Sequence, residues 1–206
     1  ILPAGSGNGP ARHLRIPLVQ HEALRQLTHY KTISMDTLRI NGALSVNVSG
    51  FGFDAHVAHQ FGKNGQRGFT GYAKLVLGEF MRYQEFDVQA TIDGQSSTHR
   101  AFMVAIANAS QFGHNALVAP DASVSDGVLD VCFIRRIPIT EAVPFITKMF
   151  RGRIERSRFV TLVKARQFTA ELVSPQPIHL DGEPVPPASR IDVEMVPGSL
   201  KVIVPA

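Results

Sequence analysis

Thr32-Ile33-Ser34-Met35-Asp36-Thr37-Leu38-Arg39-Ile40-Asn41-Gly42-Ala43-Leu44-Ser45-Val46-Asn47-Val48-Ser49-Gly50 marks the point where the period of the chain changes to two. That period places successive side chains on opposite faces of a strand. Asn41-Gly42 lies in the middle, and both residues tolerate positive φ, so the stretch predicts a hairpin of strands 32–40 and 43–50. Strands dominate from here. Residues 86–92 and 97–108 pair across Asp93-Gly94, and 128–134 follows Asp126-Gly127. The last third reads as strands 159–163, 167–173, 178–180, 190–195 and 200–204, with Pro184, Pro186 and Pro187 predicting an interruption. Upstream of the hairpin, Ile1-Leu2-Pro3 looks like the tail of a strand and Ala4-Gly5-Ser6-Gly7-Asn8-Gly9 like a glycine-rich turn. Pro10 then suits a first helical turn, having no N–H to leave unpaired. Further helices are predicted over 20–27, 54–61, 72–83 and 140–150, the last capped by Thr140. The sum is a mainly β (α+β) chain, an antiparallel β-sandwich with peripheral helices. Opening on Ile1 inside a strand-like pattern, it reads as a piece of a longer polypeptide.

Composition narrows the class. A chain of 206 residues buries roughly 70% of its extended surface, and 44% hydrophobic with 18% charged residues excludes disorder, collagen and coiled coil. Cys132 stands alone in an apolar run, which excludes an internal disulfide framework and a cysteine zinc site and points to a reducing compartment. No apolar run approaches the ~20 residues that cross a bilayer. The net charge of +4 is uneven. Between Arg135 and Arg166, nine basic residues face only Glu141 and Glu155, a surplus suited to phosphates or a lipid surface, or else a solvated face.

Several polar groups could carry chemistry. Gly5-Ser6-Gly7-Asn8-Gly9 can present backbone N–H groups at a helix start to an anion, or be a tight turn; it matches neither the Walker nor the dinucleotide spacing. Asp181 and Glu183, two apart in Leu180-Asp181-Gly182-Glu183, can hold Mg²⁺ or pair a base with a supporting acid. The rival is a plain Asp-Gly turn like Asp93-Gly94, in which an exposed aspartate contributes little to the fold. Asp126 is either a turn residue or a cation ligand. His56 and His59, three apart on a helix, could ligate metal or be solvated. Asp54, among Phe51, Gly52, Phe53 and Ala55, needs a partner or caps the helix that follows.

Taken in order, these segments resemble the diacylglycerol kinase catalytic family, which includes bacterial lipid kinases and sphingosine kinases. Ile1-Leu2-Pro3-Ala4-Gly5-Ser6-Gly7-Asn8 with Ala11-Arg12 is similar to the family's second nucleotide-loop motif, and Gly50-Phe51-Gly52-Phe53-Asp54-Ala55 to a buried segment of its C-terminal domain. Ala119-Pro120-Asp121-Ala122, Ser125-Asp126-Gly127-Val128-Leu129-Asp130 and Leu180-Asp181-Gly182-Glu183 complete the series. The family's N-terminal Gly-Gly-Asp-Gly-Thr loop is missing, so the resemblance covers the second lobe of a two-domain lipid kinase. It implies that residues 1–30 are a hinge and nucleotide-loop remnant with helices of a truncated N-terminal lobe, and 31–206 the β-sandwich. It also implies transfer of the ATP γ-phosphoryl group to a lipid hydroxyl, with no activity in the isolated chain. Asp181 would be the base and Glu183 would support it or the metal; Gly5, Ser6, Gly7, Asn8 and Arg67 would bind nucleotide. Asp126, with backbone carbonyls near Ser123 and Val128, would hold a structural Mg²⁺, and Asp54 would meet the lipid. ATP and a lipid at a membrane surface are the implied partners, with no nucleic acid, a homodimer as an option, and a cytoplasmic, peripherally membrane-associated location. The rivals are a NAD kinase-like enzyme and a non-catalytic lipid- or nucleotide-binding module.

Overall fold

The structure, a computed structural model, describes residues 1–63, 76 and 78–206. The first strand, β1 (Tyr30–Ile40), turns at Asn41-Gly42 with φ of 48° and 82° and pairs with β2 (Ala43–Ser45). The predicted second arm to residue 50 divides, because the chain leaves the hairpin at 46–47 and β3 (Val48–Gly52) enters the sheet elsewhere. The hairpin β4 (Phe86–Ile92) and β5 (Gln95–Ala101) closes on Asp93-Gly94 as predicted. The predicted strand 97–108 also divides: β5 stops at Ala101, and β6 (Met103–Ala107) pairs with β3 and β7 (Leu129–Ile134). Strand β8 (Val160–Ala165) pairs with β7.

Two long strands bind the parts together. β9 (Gln167–Leu180) and β10 (Glu183–Pro205) replace the four short strands predicted there. The prolines do not end β10, since its register with β9 shifts between Val185 and Ala188 and again before Arg190, and bulges leave such residues out of the ladder. β10 pairs with β1, while β9 pairs with β4 through Phe168–Leu172 positions and with β3 at Ile178 and His179. The strand order is β2-β1-β10-β9-β3-β6-β7-β8. Non-neighbouring strands nevertheless touch: His99 of β5 stacks on Phe133 of β7 at 4.0 Å, and Phe133 meets Phe168 of β9 edge-on at 6.0 Å. The ladder is therefore folded over into two packed layers around a shared core that includes Leu38, Phe51, Val104, Val131, Phe168 and Ile191.

Helices lie outside the layers. α1 (Gly9–His13) and α2 (Gln20–Arg25) form a small cluster through Ala11, Ile16 and Ala23. α3 (Phe53–Lys63) follows β3 directly; of the predicted helix 72–83, residues 76 and 78–82 are helical, while 72–75 and 77 lie outside the described residues. α4 (Ile139–Phe150) starts after Pro138, and no side chain caps it, so Thr140 is not the cap the sequence suggested. Phe145 and Met149 pack α4 onto Val118, Ala119 and Cys132, whose thiol burial pushes up to about 12. Cys132 is thus an inert core residue.

Two histidines tie stability to pH. His13 Nδ1 accepts a hydrogen bond from Ser110 N (3.1 Å), and burial lowers the affinity of both His13 and His99 for a proton from the ordinary 6.5. The cost of protonation is absent above 6.5 and grows as pH falls below it, because the unfolded chain takes up protons that the folded chain resists. The urea midpoint is expected to fall between about pH 7 and about pH 5, and less so in a His13→Gln/His99→Gln variant. A flat profile in the parent protein would refute this.

Candidate functional site

The turn between β9 and β10 has positive φ at both central residues, 51° at Asp181 and 96° at Gly182, as the Asn41-Gly42 and Asp93-Gly94 hairpins do. Its aspartate also reaches across to the start of β3. Asp181 Oδ1 accepts hydrogen bonds from Ser45 Oγ and Asn47 N, and Oδ2 accepts one from Val46 N, each at 2.9 Å. Asp181 N in turn donates to Ser49 Oγ at 3.0 Å. This corrects the expectation that a turn aspartate contributes little: the carboxylate fixes the crossover that splits β2 from β3. Of roughly four lone-pair positions on a carboxylate, these bonds leave one open, on Oδ2. Asp93 uses the same device, accepting from Arg166 N and Gln167 N at 2.9 Å, so the bonding pattern alone requires no chemistry.

Asp181 is distinguished by what lies beside it, a cleft of about 580 Å³ lined by Val48, Asp54, Phe112, His179, Asp181 and Glu183. His179, buried at 4% exposure, supports the turn from below. Its Nδ1 accepts from Gly182 N at 3.1 Å, which places the ring proton on Nε2, and Nε2 donates to Asp54 Oδ2 at 2.9 Å. Asp54 thus has the partner its apolar surroundings demand, and it stands in the first turn of α3, where the helix dipole favours an anion. Its Oδ1 is buried and has no partner among the described residues. Sequence reasoning missed His179; a lone histidine between Ile178 and Leu180 was the available signal.

The glycine-rich loop, from the other end of the chain, packs beside this cleft on neighbours of its lining. Asn8 bridges to Gly113, and a Cβ on Gly113 would lie 2.9 Å from Gly7 Cα, so the two backbones pack directly. Phe112, next to Gly113, lines the cleft. On the other side, the Asn47 whose N–H holds Asp181 sets its amide 2.8 Å from where a Gly9 Cβ would be. As an anion cradle the loop is incomplete: Gly5 N already donates to Asn8 Oδ1 at 3.1 Å, and α1 has only five residues to supply a dipole. Ser6 is exposed beside it.

Other candidates are placed elsewhere. Asp126 Oδ1 accepts from Val128 N at 3.3 Å in a local turn, and its Oδ2 faces Lys164 Nζ at 3.5 Å. The same ammonium reaches buried Asp130 at 3.1 Å, and Ser123 Oγ is directed to Ser125 N. Burial raises the Asp130 carboxyl against the lowering effect of Lys164. Lys164 therefore already supplies positive charge beside the Asp126 carboxylate. No group of three or more His, Cys, Asp or Glu side chains suited to a metal occurs among the described residues. His56 and His59 part company, the first 2.7 Å from Glu79 Oε2 and the second bonded to Ile178 O at 3.1 Å. Arg67 lies outside the described residues.

Comparison with known proteins matches residues 45–204 to the YegS C-terminal NAD kinase beta sandwich-like domain. A "Probable lipid kinase YegS-like" of Shewanella frigidimarina is 23% identical over all of this chain and 66% of its own length. One of Xanthomonas euvesicatoria pv. vesicatoria is 26% identical over all of this chain and 68% of its own. The chain thus spans about two thirds of the curated relatives it matches. A solved structure from Bacillus anthracis str. Sterne superposes with a TM-score of 0.77 at 24% identity, covering 99% of this chain and 68% of that one. A diacylglycerol kinase from the same organism gives 0.74 at 20% identity, over 99% and 65%. At these identities the structures establish the sandwich fold.

Proposed function

This chain belongs to the YegS C-terminal NAD kinase beta sandwich-like domain family, and from that membership we propose that it is the second lobe of an ATP-dependent lipid kinase. The observation behind the proposal is that the Gly5–Gly9 loop packs on Gly113 and Asn47, sequence neighbours of Phe112 and Val48 in the lining of the cleft that also holds the Asp181–Glu183 turn. Exposed Ile1, Leu2, Leu18, Val19, Leu24 and Leu27 precede the matched domain and suit burial against a first lobe, in keeping with a hinge over 1–30 and a sandwich over 31–206.

In this reading Asp181, oriented by three donors, accepts the proton of the lipid hydroxyl at its open Oδ2 position. Glu183, exposed at the cleft and without a hydrogen-bond partner among the described residues, supports it. Gly5, Ser6, Gly7 and Asn8, with Arg67, attend the nucleotide, and Asp54 faces the lipid side of the cleft. When bound with ATP, Mg²⁺ would neutralise phosphate charge. A lipid acceptor implies peripheral attachment to a membrane from the cytoplasm. The relatives' names favour a lipid over the NAD kinase alternative.

The test is transfer of labelled γ-phosphate from ATP by the full-length gene product to a diacylglycerol or a sphingoid base. Transfer by the full-length protein and none by the 206-residue chain alone is expected. Glu183→Gln is expected to lower kcat by about 10²-fold. Transfer to NAD, or to no lipid, would overturn the assignment, and turnover by the isolated chain would overturn the two-lobe requirement.

A further inference from the structure

Helix α4 carries an apolar stripe that the sandwich does not use. Phe145 and Met149 face the core, yet Ile139, Val143, Ile146 and Phe150 are 62%, 73%, 47% and 45% exposed. At about 100° per residue these four fall on one narrow stripe of the helix. Basic residues flank its C-terminal end. Lys148, Arg151 and Arg153 have no salt-bridge partner among the described residues, whereas Arg156 and Arg158 are paired with Glu155 and Glu141. An exposed apolar stripe beside unpaired cations is the arrangement of a helix that lies in the interface of an anionic bilayer, its apolar side among acyl chains and its arginines among headgroup phosphates.

We infer that α4 and the Phe150–Arg153 segment dock this protein on an anionic lipid surface. The placement relative to the cleft adds a reason. A Cβ on Gly152 would lie 3.3 Å from Leu117 Cδ1 and 3.7 Å from Pro120, so the end of α4 rests on the loop whose Phe112 and Ala116 line the cleft. A bilayer touching Phe150 and Arg151 therefore approaches the rim where, on the lipid-kinase reading, the acceptor enters. The docking itself needs no turnover, and it can be tested apart from that reading.

The experiment is co-sedimentation of the 206-residue chain with phosphatidylcholine vesicles and with vesicles in which roughly a third of the lipid is phosphatidylserine. Binding to the anionic vesicles, weakening as salt shortens the Debye length from ~10 Å at 0.1 M to ~3 Å at 1 M, is expected. Arg151→Gln/Arg153→Gln should lower partitioning about 30-fold, the effect of two charges at such a surface. Val143→Glu/Ile146→Glu should lower it by more than about tenfold on both vesicle types. Both variants should keep the parent melting temperature, since they alter exposed positions. Equal binding by parent and variants, or no binding by the parent, overturns the inference. If the parent is instead a dimer that Val143→Glu/Ile146→Glu makes monomeric without any vesicle binding, the stripe belongs to a second copy and the inference is wrong. Loss of lipid phosphorylation in detergent micelles, with vesicle binding intact, would count against the kinase reading alone.

Discussion

Asp181→Asn is expected to slow phosphoryl transfer and loosen the sandwich together. The carboxylate offers acceptors on both oxygens, two bonds at Oδ1 and one at Oδ2. An amide has one oxygen, so its NH₂ must face either Val46 N–H or the Ser45 and Asn47 donors, and at least one backbone N–H loses its partner. The amide does best with its NH₂ toward Val46 N–H, whose bond is the exposed one of the three, so that this donor can turn to water. The loss is expected at about 1 kcal/mol, the low end of the cost of an unmade bond, to be read as a lower urea midpoint of the 206-residue chain. In the full-length protein, kcat is expected to fall by roughly 10²- to 10⁴-fold with little change in KM for ATP. Ser45→Ala separates the two effects: it removes one donor to Asp181 and the buried Ser45–Ser49 hydroxyl bond, each at about 0.5–1.5 kcal/mol, but leaves the base in place, so kcat should stay near the parent value. If Asp181→Asn loses stability and keeps full turnover, Asp181 is a clamp like Asp93 and not a catalytic residue.

Gly50→Ala is expected to damage the same site from inside the sheet. A Cβ there would lie 2.6 Å from Val104 O, 3.0 Å from Asp54 Oδ2 and 3.3 Å from His179 Nε2. Gly50 is held between Ala105 of β6 and His179 of β9, so the backbone has no free side to move toward. Overpacking of this kind costs about 1–3 kcal/mol or more. Relief by the side chains would break the Asp54–His179 bond and free Gly182 N, so turnover should drop even in preparations that remain folded. Gly78→Ala is the control: an exposed helical position with nothing among the described residues within 4 Å of the new Cβ, where the change should stabilise by about 0.5–1 kcal/mol. Equal stability of the two variants would refute the packing argument. Gly50 begins the Gly50-Phe51-Gly52-Phe53-Asp54-Ala55 segment that the family resemblance singled out, and the close approach gives that glycine a physical reason.

Which parts of this could be read from residues alone follows from the range of the forces involved. Asn41-Gly42, Asp93-Gly94 and Asp181-Gly182 announce hairpin turns because positive φ is a property of two adjacent residues. Period-two patterning likewise reports strands and their buried faces, and helical spacing found α3 and α4. These sufficed for a mainly antiparallel β fold, and four motifs in order sufficed for the family. Where strands end was decided elsewhere. The arm 43–50 divides because a carboxylate from the β9–β10 turn captures Ser45, Val46 and Asn47; the prolines fail to divide β10 because bulges absorb them while β1 and β9 hold it on either side. The same holds for the site. Asp181, Glu183 and the Gly5–Asn8 loop were visible as residue types, but that the turn lines a cleft with Asp54 and His179, that the loop packs on Gly113 beside it, that His179 braces the turn through Asp54, and that Lys164 occupies the space beside Asp126 depend on contacts between residues far apart in the chain. Turn chemistry and periodicity are local and written in the sequence; hydrogen-bond partners across layers are chosen only when the whole sheet closes on its core.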